Sequence, residues 1–179
     1  MNFFPYDPVK IPRNSKGLVA ADSVTLKRFW EEVDAQIEEG LSSAVGCYIF
    51  SIRAGKGSLP WYVGRAEKQQ FRKECFTSHK LNHYNNAIAG RKGTPLLTLV
   101  AKLTPGEYFV KPSGSGHRDI QFLESMLITA CVQRNGELFN VKDTKLLREM
   151  SVPGLINNSQ GKDPGSVRKF RSLLGVRSA

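Results

Sequence analysis

Two tyrosines, an arginine and a glutamate are the side chains in this sequence best suited to chemistry on a phosphodiester. Tyr48 ends a Gly-Cys-Tyr run, and Tyr62 begins a Tyr-Val-Gly run fourteen residues later. Arg72 follows ten residues after Tyr62, and Glu124 lies in a later segment. Phosphodiester cleavage needs an activated water and neutralisation of the charge that builds up on the phosphate. A guanidinium can donate paired hydrogen bonds to phosphate oxygens, and a carboxylate can hold a divalent ion, whereas a phenol with a reference pKa of about 10 is a poor base at neutral pH.

Strands and helices must bring these four residues together. Runs of β-branched and aromatic residues predict strands over Val45 to Ile52, Trp61 to Gly64 and Leu96 to Leu103. A helix is expected to begin near Lys68 and carry Arg72. A longer helix is predicted from about Arg118 to Gln133. The two tyrosines therefore lie on neighbouring strands, and the arginine and the glutamate lie on helices.

Glu124 is predicted to lie on the apolar face of its helix. The 3.6-residue period places it beside four apolar residues, namely Ile120, Leu127, Ile128 and Cys131. A carboxylate in such surroundings is costly unless it is paired or bound to a metal. Two alternatives follow, a weak divalent-metal site or an ion pair with an arginine such as Arg72 or Arg118. Tyr48 and Tyr62 have an ordinary alternative too, as packing aromatics of their strands.

The two tyrosine motifs and the order of the residues after them resemble the GIY-YIG nuclease family. Cys47 replaces the first Ile of the family pattern and Val63 replaces the second. The resemblance spans residues 44–145, and Asn140 matches an Asn that is common after the family's Glu. It implies an α/β (α+β) fold in which a small three-stranded antiparallel sheet is flanked by helices.

The same resemblance implies a Mg²⁺- or Mn²⁺-dependent endonuclease, with DNA favoured over RNA as substrate. Glu124 would bind the metal, Arg72 the phosphate, and Tyr62 would help to remove a proton from the water. Tyr48 would support the phenolate of Tyr62. Asn140 would contact the substrate.

The chain departs from the family pattern at two positions near Arg72. Phe76 stands where many members have His or Tyr, so we expect His79, just beyond it, to be the nearest acid–base group. His83 is expected to be a surface residue. Arg65 stands where the family often has Lys and is a candidate substrate contact. These departures keep open a non-catalytic nucleic-acid-binding module on the same scaffold.

The charge distribution points to a polyanionic partner. The net charge is +10, yet residues 1–40 hold five basic and seven acidic residues, so the other 139 residues carry +12. Such a basic body favours nucleic acid, because neutralising phosphates releases counterions. A final helix at about Ser166 to Leu174 is predicted to present Arg168, Lys169 and Arg171, with Arg177 beyond it. A merely solvated basic face, or a basic interaction protein without a nucleic-acid role, is the alternative.

The remaining features describe an ordinary globular chain. We expect a single core at 44–145, preceded by an arm and a helix at 1–43 and followed by a loop and a basic helix at 146–179. The three cysteines lack metal-site spacing and are expected to be core residues. The N-terminus lacks a signal-peptide pattern and no apolar run is long enough to span a membrane, so we expect a cytoplasmic protein without a membrane partner.

Overall fold

Five strands and six α-helices make up the part of the chain that the computed structural model describes, which is residues 2–55, 57–140, 144–156 and 164–175. The strands are β1 (Asn2–Pro5), β2 (Val9–Lys10), β3 (Gly46–Ala54), β4 (Gly57–Ala66) and β5 (Thr94–Leu103). The helices are α1 (Ser23–Gln36), α2 (Phe71–Glu74), α3 (Ser78–Ile88), α4 (Arg118–Arg134), α5 (Thr144–Glu149) and α6 (Gly165–Leu174). A short 3₁₀ turn spans Leu41–Ser43.

The sheet is open and antiparallel, with the strand order β1-β5-β3-β4. Strand β3 is central, and it pairs with β4 on one side and β5 on the other. The prediction of a mixed fold with an antiparallel sheet and flanking helices is confirmed. β4 begins at Gly57, earlier than predicted from its apolar run, because the polar residues after the turn continue the ladder with β3.

The sheet has five strands rather than three, because the N-terminal arm joins it. Strand β1 pairs antiparallel with the second half of β5, and β2 pairs with its first half. Ile11, just after β2, is fully buried. The arm thus covers the edge that β5 would otherwise expose, and the first residues of the chain share one sheet with the predicted core.

Alternation along β3 assigns its side chains to two faces. Tyr48 and Phe50 belong to the larger cluster, in which Phe50 stacks on Tyr84 of α3 at 4.3 Å between ring centroids. Helix α1 packs on this cluster through Phe29, Trp30 and Val33, which lie on one face of the helix. The carboxylate of its N-cap residue, Asp22, accepts a hydrogen bond from the backbone amide of Thr25 at 2.9 Å.

Helix α4 covers the other face. Cys47 of β3 packs with Ile120, and Val63 of β4 packs with Ile128. The Glu124 position therefore lies over the end of β4, on the face opposite α1. Because β4 is an edge strand, side chains from both faces can meet around its open side.

Helix α6 has the predicted bounds to within a residue, but its apolar side is not buried. The side chain of Leu173 is 82% exposed, and no residue of α6 falls in the buried class. Val167 and Phe170 are half-buried, and a Cβ at Gly154 would lie 3.2 Å from the Val167 side chain, so α6 packs against the Gly154 turn. The sequence also predicts that this helix packs on the core, and this stays a prediction. Arg177 lies outside them.

Candidate active site

An open pocket of about 420 Å³ lies beside the end of β4, the edge strand, and residues from both faces of the sheet line it. Its lining is almost entirely polar and charged, and Tyr62 contributes the aromatic ring. The lining residues are Tyr62, Arg65, Glu67, Lys68, Gln69, Glu74, Lys80 and Glu124. Three of the residues singled out from the sequence, Tyr62, Arg65 and Glu124, therefore share one pocket.

The glycines of the two tyrosine motifs allow close packing. Tyr48 pairs across the ladder with Gly64, and a Cβ at Gly64 would overlap the Tyr48 ring and hydroxyl. A Cβ at Gly46 would overlap the backbone carbonyl of Val100. Glycine at both positions therefore lets β3 sit tightly between its neighbours with a tyrosine ring across β4.

Tyr48 itself is fully buried beneath the pocket. Its ring lies 6.4 Å from that of Tyr62, and burial raises its pKa well above the ordinary value. Tyr48 is thus a neutral core residue next to Tyr62 and is not among the residues that line the pocket.

Tyr62 reaches the pocket from the face that carries α3. Burial, followed by the nearby charge of Glu124, raises its pKa to about 12, and Arg65 offsets this only in part. In the protein alone the phenol therefore keeps its proton at neutral pH. Its hydroxyl is a hydrogen-bond donor rather than a ready base.

Arg65 bridges two carboxylates. Its Nε atom donates to Glu67 at 3.0 Å, and its Nη1 atom donates to Glu124 in a short contact. The Glu124 side chain is only 13% exposed, so its charge needs this partner. The ion-pair alternative for Glu124 is thus realised, but with Arg65 rather than with Arg72 or Arg118, and within the same pocket as Tyr62.

Arg72 is not brought into this pocket. Its side chain is exposed, its Nε atom donates to Gln70 at 2.8 Å, and it lines a separate cavity with residues of α1 such as Trp30 and Asp34. Arg72 lies on the four-residue helix α2, and the cavity that it lines is formed with α1 rather than with β4. Among the basic residues expected at the site, Arg65 takes the place that the resemblance gave to Arg72.

Phe76 belongs to the core. Its ring contacts Phe29, Trp30 and Tyr84 edge-on, with centroid distances of 5.3, 5.8 and 6.1 Å. Phe76 therefore contributes to core packing and offers no acid–base group.

The two histidines of α3 lie against each other at the border of the site. His79 is exposed, and its Nε2 atom lies 3.1 Å from Nε2 of His83. His83, which was expected to be a surface residue, stacks on Tyr62 with 4.9 Å between ring centroids and 16° between planes. His79 thus reaches Tyr62 only through His83.

The side chain of Asn140, which the resemblance implies would contact the substrate, is hydrogen-bonded to the backbone of Val63. Its Oδ1 atom accepts from the Val63 amide at 2.8 Å, and its Nδ2 atom donates to the Val63 carbonyl at 2.7 Å. Phe139 donates from its amide to the Trp61 carbonyl at 2.9 Å. One backbone and two side-chain hydrogen bonds therefore fasten this segment to β4 at Trp61 and Val63, and Asn140 does not line the pocket.

Arg168, Lys169 and Arg171 lie on α6 and are not among the residues that line the pocket. Arg168 and Lys169 are exposed, and Arg171 is half-buried. Sequence reasoning did not single out Glu67, Lys68, Glu74 and Lys80 of the pocket. Their only sequence signal is a charged cluster just after β4 and around the two short helices.

No family model, curated protein or solved structure matches this chain. Across the described residues, no helix has the length and apolar character needed to cross a membrane.

Proposed function

We propose that the protein is a metal-dependent nuclease that hydrolyses nucleic-acid phosphodiester bonds, with DNA as the preferred substrate. One observation carries the proposal, which is that Tyr62, Arg65 and Glu124 line a single open, polar pocket. Lys68 and Lys80 line it too, so phosphate oxygens would meet three cations there, although Lys80 is ion-paired with Glu74, and Arg65 with Glu67 and Glu124. The three cysteines are free and buried, which suits the reducing cytoplasm that we propose as its location.

Glu124 is the residue that would hold the metal ion. It offers hard carboxylate oxygen to an open pocket, which suits Mg²⁺ or Mn²⁺, since these ions retain several waters. Glu67 is less suited, because it already accepts hydrogen bonds from Arg65, the His117 amide and Gln121. No group of three metal-ligating side chains occurs among the described residues, so water and substrate would complete the coordination. A bound ion would supply Lewis-acid stabilisation of the phosphate charge and an acidified water.

The protein's own residues would share the remaining work. Arg65 would donate paired hydrogen bonds to phosphate oxygens once the carboxylate of Glu124 has another cation to face. Glu67 would keep the Arg65 side chain oriented through its Nε atom. Tyr62, protonated in the protein alone, would orient the attacking water by its hydroxyl. Burial is the main cause of its raised pKa, and a cation at Glu124 would offset only the second cause, the Glu124 charge.

A second candidate is a nucleic-acid-binding module without catalysis. Two observations favour it. Glu124 forms an ion pair with Arg65, and Phe76 is a core residue that offers no acid–base group. In such a module Arg65, Lys68 and Lys80 would bind phosphate through charge, against the carboxylates of Glu67, Glu74 and Glu124 in the same lining.

A cleavage assay separates the two candidates. Supercoiled plasmid, single-stranded DNA and single-stranded RNA are incubated with the full chain in Mg²⁺, in Mn²⁺ and in EDTA. The nuclease proposal expects metal-dependent cleavage that is lost in Glu124→Gln and kept in Glu31→Gln, a control on the exposed face of α1. Binding of nucleic acid without cleavage in either metal would establish the module instead.

A further inference from the structure

We propose that His79 and His83 of α3 form a binding site for a transition-metal ion of the Zn²⁺ class, separate from the carboxylate of Glu124. The two residues are one helical turn apart, and their Nε2 atoms are 3.1 Å apart. Two nitrogens that share a tetrahedral Zn²⁺ at the usual bond length lie about 3.3 Å apart. The two imidazoles thus stand close to the spacing at which one ion bridges them.

The ring of His83 is held in place by its neighbours. It stacks on Tyr62 at 4.9 Å and lies 5.9 Å from Phe139 at an angle of 34°. His79 meets it almost edge-on, with 4.5 Å between centroids and 82° between planes. Because the His83 side chain is already restricted, binding an ion costs less side-chain entropy.

The electrostatics also suit ligation. Metal ligation needs neutral imidazole rings, and an unbalanced cation nearby would oppose it. Lys80 forms an ion pair with Glu74 at 2.8 Å. His79 is exposed, so an ion can enter from solvent and keep water in its other positions.

The donor atoms decide which ions bind here. Imidazole nitrogen suits Zn²⁺, Ni²⁺ and Cu²⁺, whereas Mg²⁺ and Mn²⁺ favour oxygen. Because the described residues contain no group of three metal-ligating side chains, this is a two-histidine site completed by water. Its occupancy would fix one turn of α3 beside Tyr62, and it does not depend on nuclease activity.

Calorimetric titration of the full chain with ZnCl₂ tests the proposal. His79→Ala removes an exposed ligand, and His83→Phe keeps a ring that can stack on Tyr62. His117→Asn changes the third histidine, whose ring contacts Lys102 instead. We expect one Zn²⁺ per chain in the wild type and in His117→Asn. Binding should weaken at least about tenfold in each of the other two variants.

Thermal unfolding gives a second readout, because an ion that binds only the folded chain raises Tm. Zn²⁺ should raise the Tm of the wild type and of His117→Asn, but not that of His79→Ala. The proposal is overturned if His79→Ala binds Zn²⁺ as the wild type does. It is equally overturned if Glu124→Gln abolishes Zn²⁺ binding while His79→Ala retains it.

Discussion

The carboxylate of Glu67 accepts a hydrogen bond at 3.0 Å from the Nε atom of Arg65, which lies two residues earlier in the chain. Glu67 is itself fixed, since it also accepts from the backbone amide of His117 at 2.8 Å and from Gln121 at 2.9 Å. Gly116 makes room for it, because a Cβ there would lie 2.8 Å from Glu67 Oε2 and the residue has a φ of +75°. Glu67 is therefore a positioning residue for Arg65.

The stability contributed by Glu67 should depend on pH. Burial tends to raise its pKa, but the hydrogen bonds from His117, Gln121 and Arg65 lower it below the ordinary value. Its stabilising contribution is thus present above the pKa of the unfolded chain and is lost as pH falls through the lower folded pKa. We expect Glu67→Gln to cost about 1–2 kcal/mol at pH 7.

Urea unfolding between pH 7 and pH 3 measures this, with Glu31→Gln as the exposed control. The difference in unfolding free energy between wild type and Glu67→Gln should shrink below about pH 4.5, near the reference pKa of Glu. A difference that stays constant over the whole range would show that the carboxylate charge of Glu67 contributes nothing.

Asn140 should matter for stability more than for substrate binding. Asn140→Ala leaves the amide and carbonyl of Val63 buried without partners, which we expect to cost about 2–4 kcal/mol. Asn86→Ala on the exposed side of α3 is the matched control. Urea unfolding measures the cost. If Asn140→Ala is as stable as wild type but binds nucleic acid more weakly, Asn140 contacts the substrate, as the family resemblance implies.

The central strands and long helices could be predicted from local pattern, but the arm could not. In β3 and β5 the apolar residues are dense and continuous, and in α1 they recur every three to four residues. Strands β1 and β2 are four and two residues long, and only their pairing with β5, about a hundred residues away, makes them strands. Such pairing leaves no signal in the arm itself.

Site residues could be predicted from the sequence when they lie on long strands or helices. Tyr62 and Glu124 lie on β4 and α4, whose phase the sequence sets, and the structure brings both to one pocket. Arg72 lies on a four-residue helix, whose orientation depends on packing that spacing does not encode. His83 was assigned to the surface because its stacking partner, Tyr62, comes from a different element.

The basic helix α6 should contribute to nucleic-acid affinity through phosphate contacts. Replacing Arg168 and Lys169 by Gln should weaken binding for every sequence and reduce the slope of log affinity against log salt by about 2. Fluorescence anisotropy at several salt concentrations measures the slope. The pair Lys27→Gln and Arg28→Gln on α1 removes the same charge. Equal losses for the two pairs would show that α6 has no local role.

The two tyrosines should differ in their effect on cleavage. Tyr62→Phe removes a hydroxyl that faces the pocket and should reduce the rate about 10²-fold, on the scale of acid–base catalysis. Tyr48→Phe removes a hydroxyl that is buried beneath Gly64, so its effect on the rate should be smaller. Single-turnover cleavage of plasmid DNA by the folded variants measures both. A larger loss for Tyr48→Phe would reverse the assignment.

Arg65 and Arg72 provide the sharpest test of the site, because the structure and the family resemblance disagree about them. Arg65→Ala should reduce cleavage about 10²–10³-fold, the usual cost of losing one donor to the transition state. It should also strengthen Mn²⁺ binding, since Glu124 loses its competing cation. Arg65→Lys keeps the charge without the paired donors, so its cleavage rate should lie between those of the wild type and Arg65→Ala.

Arg72→Ala is the matched control, because it removes the same charge from an exposed side chain that contacts Gln70. We expect its cleavage rate to stay within a few-fold of wild type. Cleavage rates and Mn²⁺ affinities measured on the three variants decide the question. A large loss in Arg72→Ala beside an active Arg65→Ala would mean that α2 reorients when substrate binds, and that Arg72 is the phosphate-binding residue.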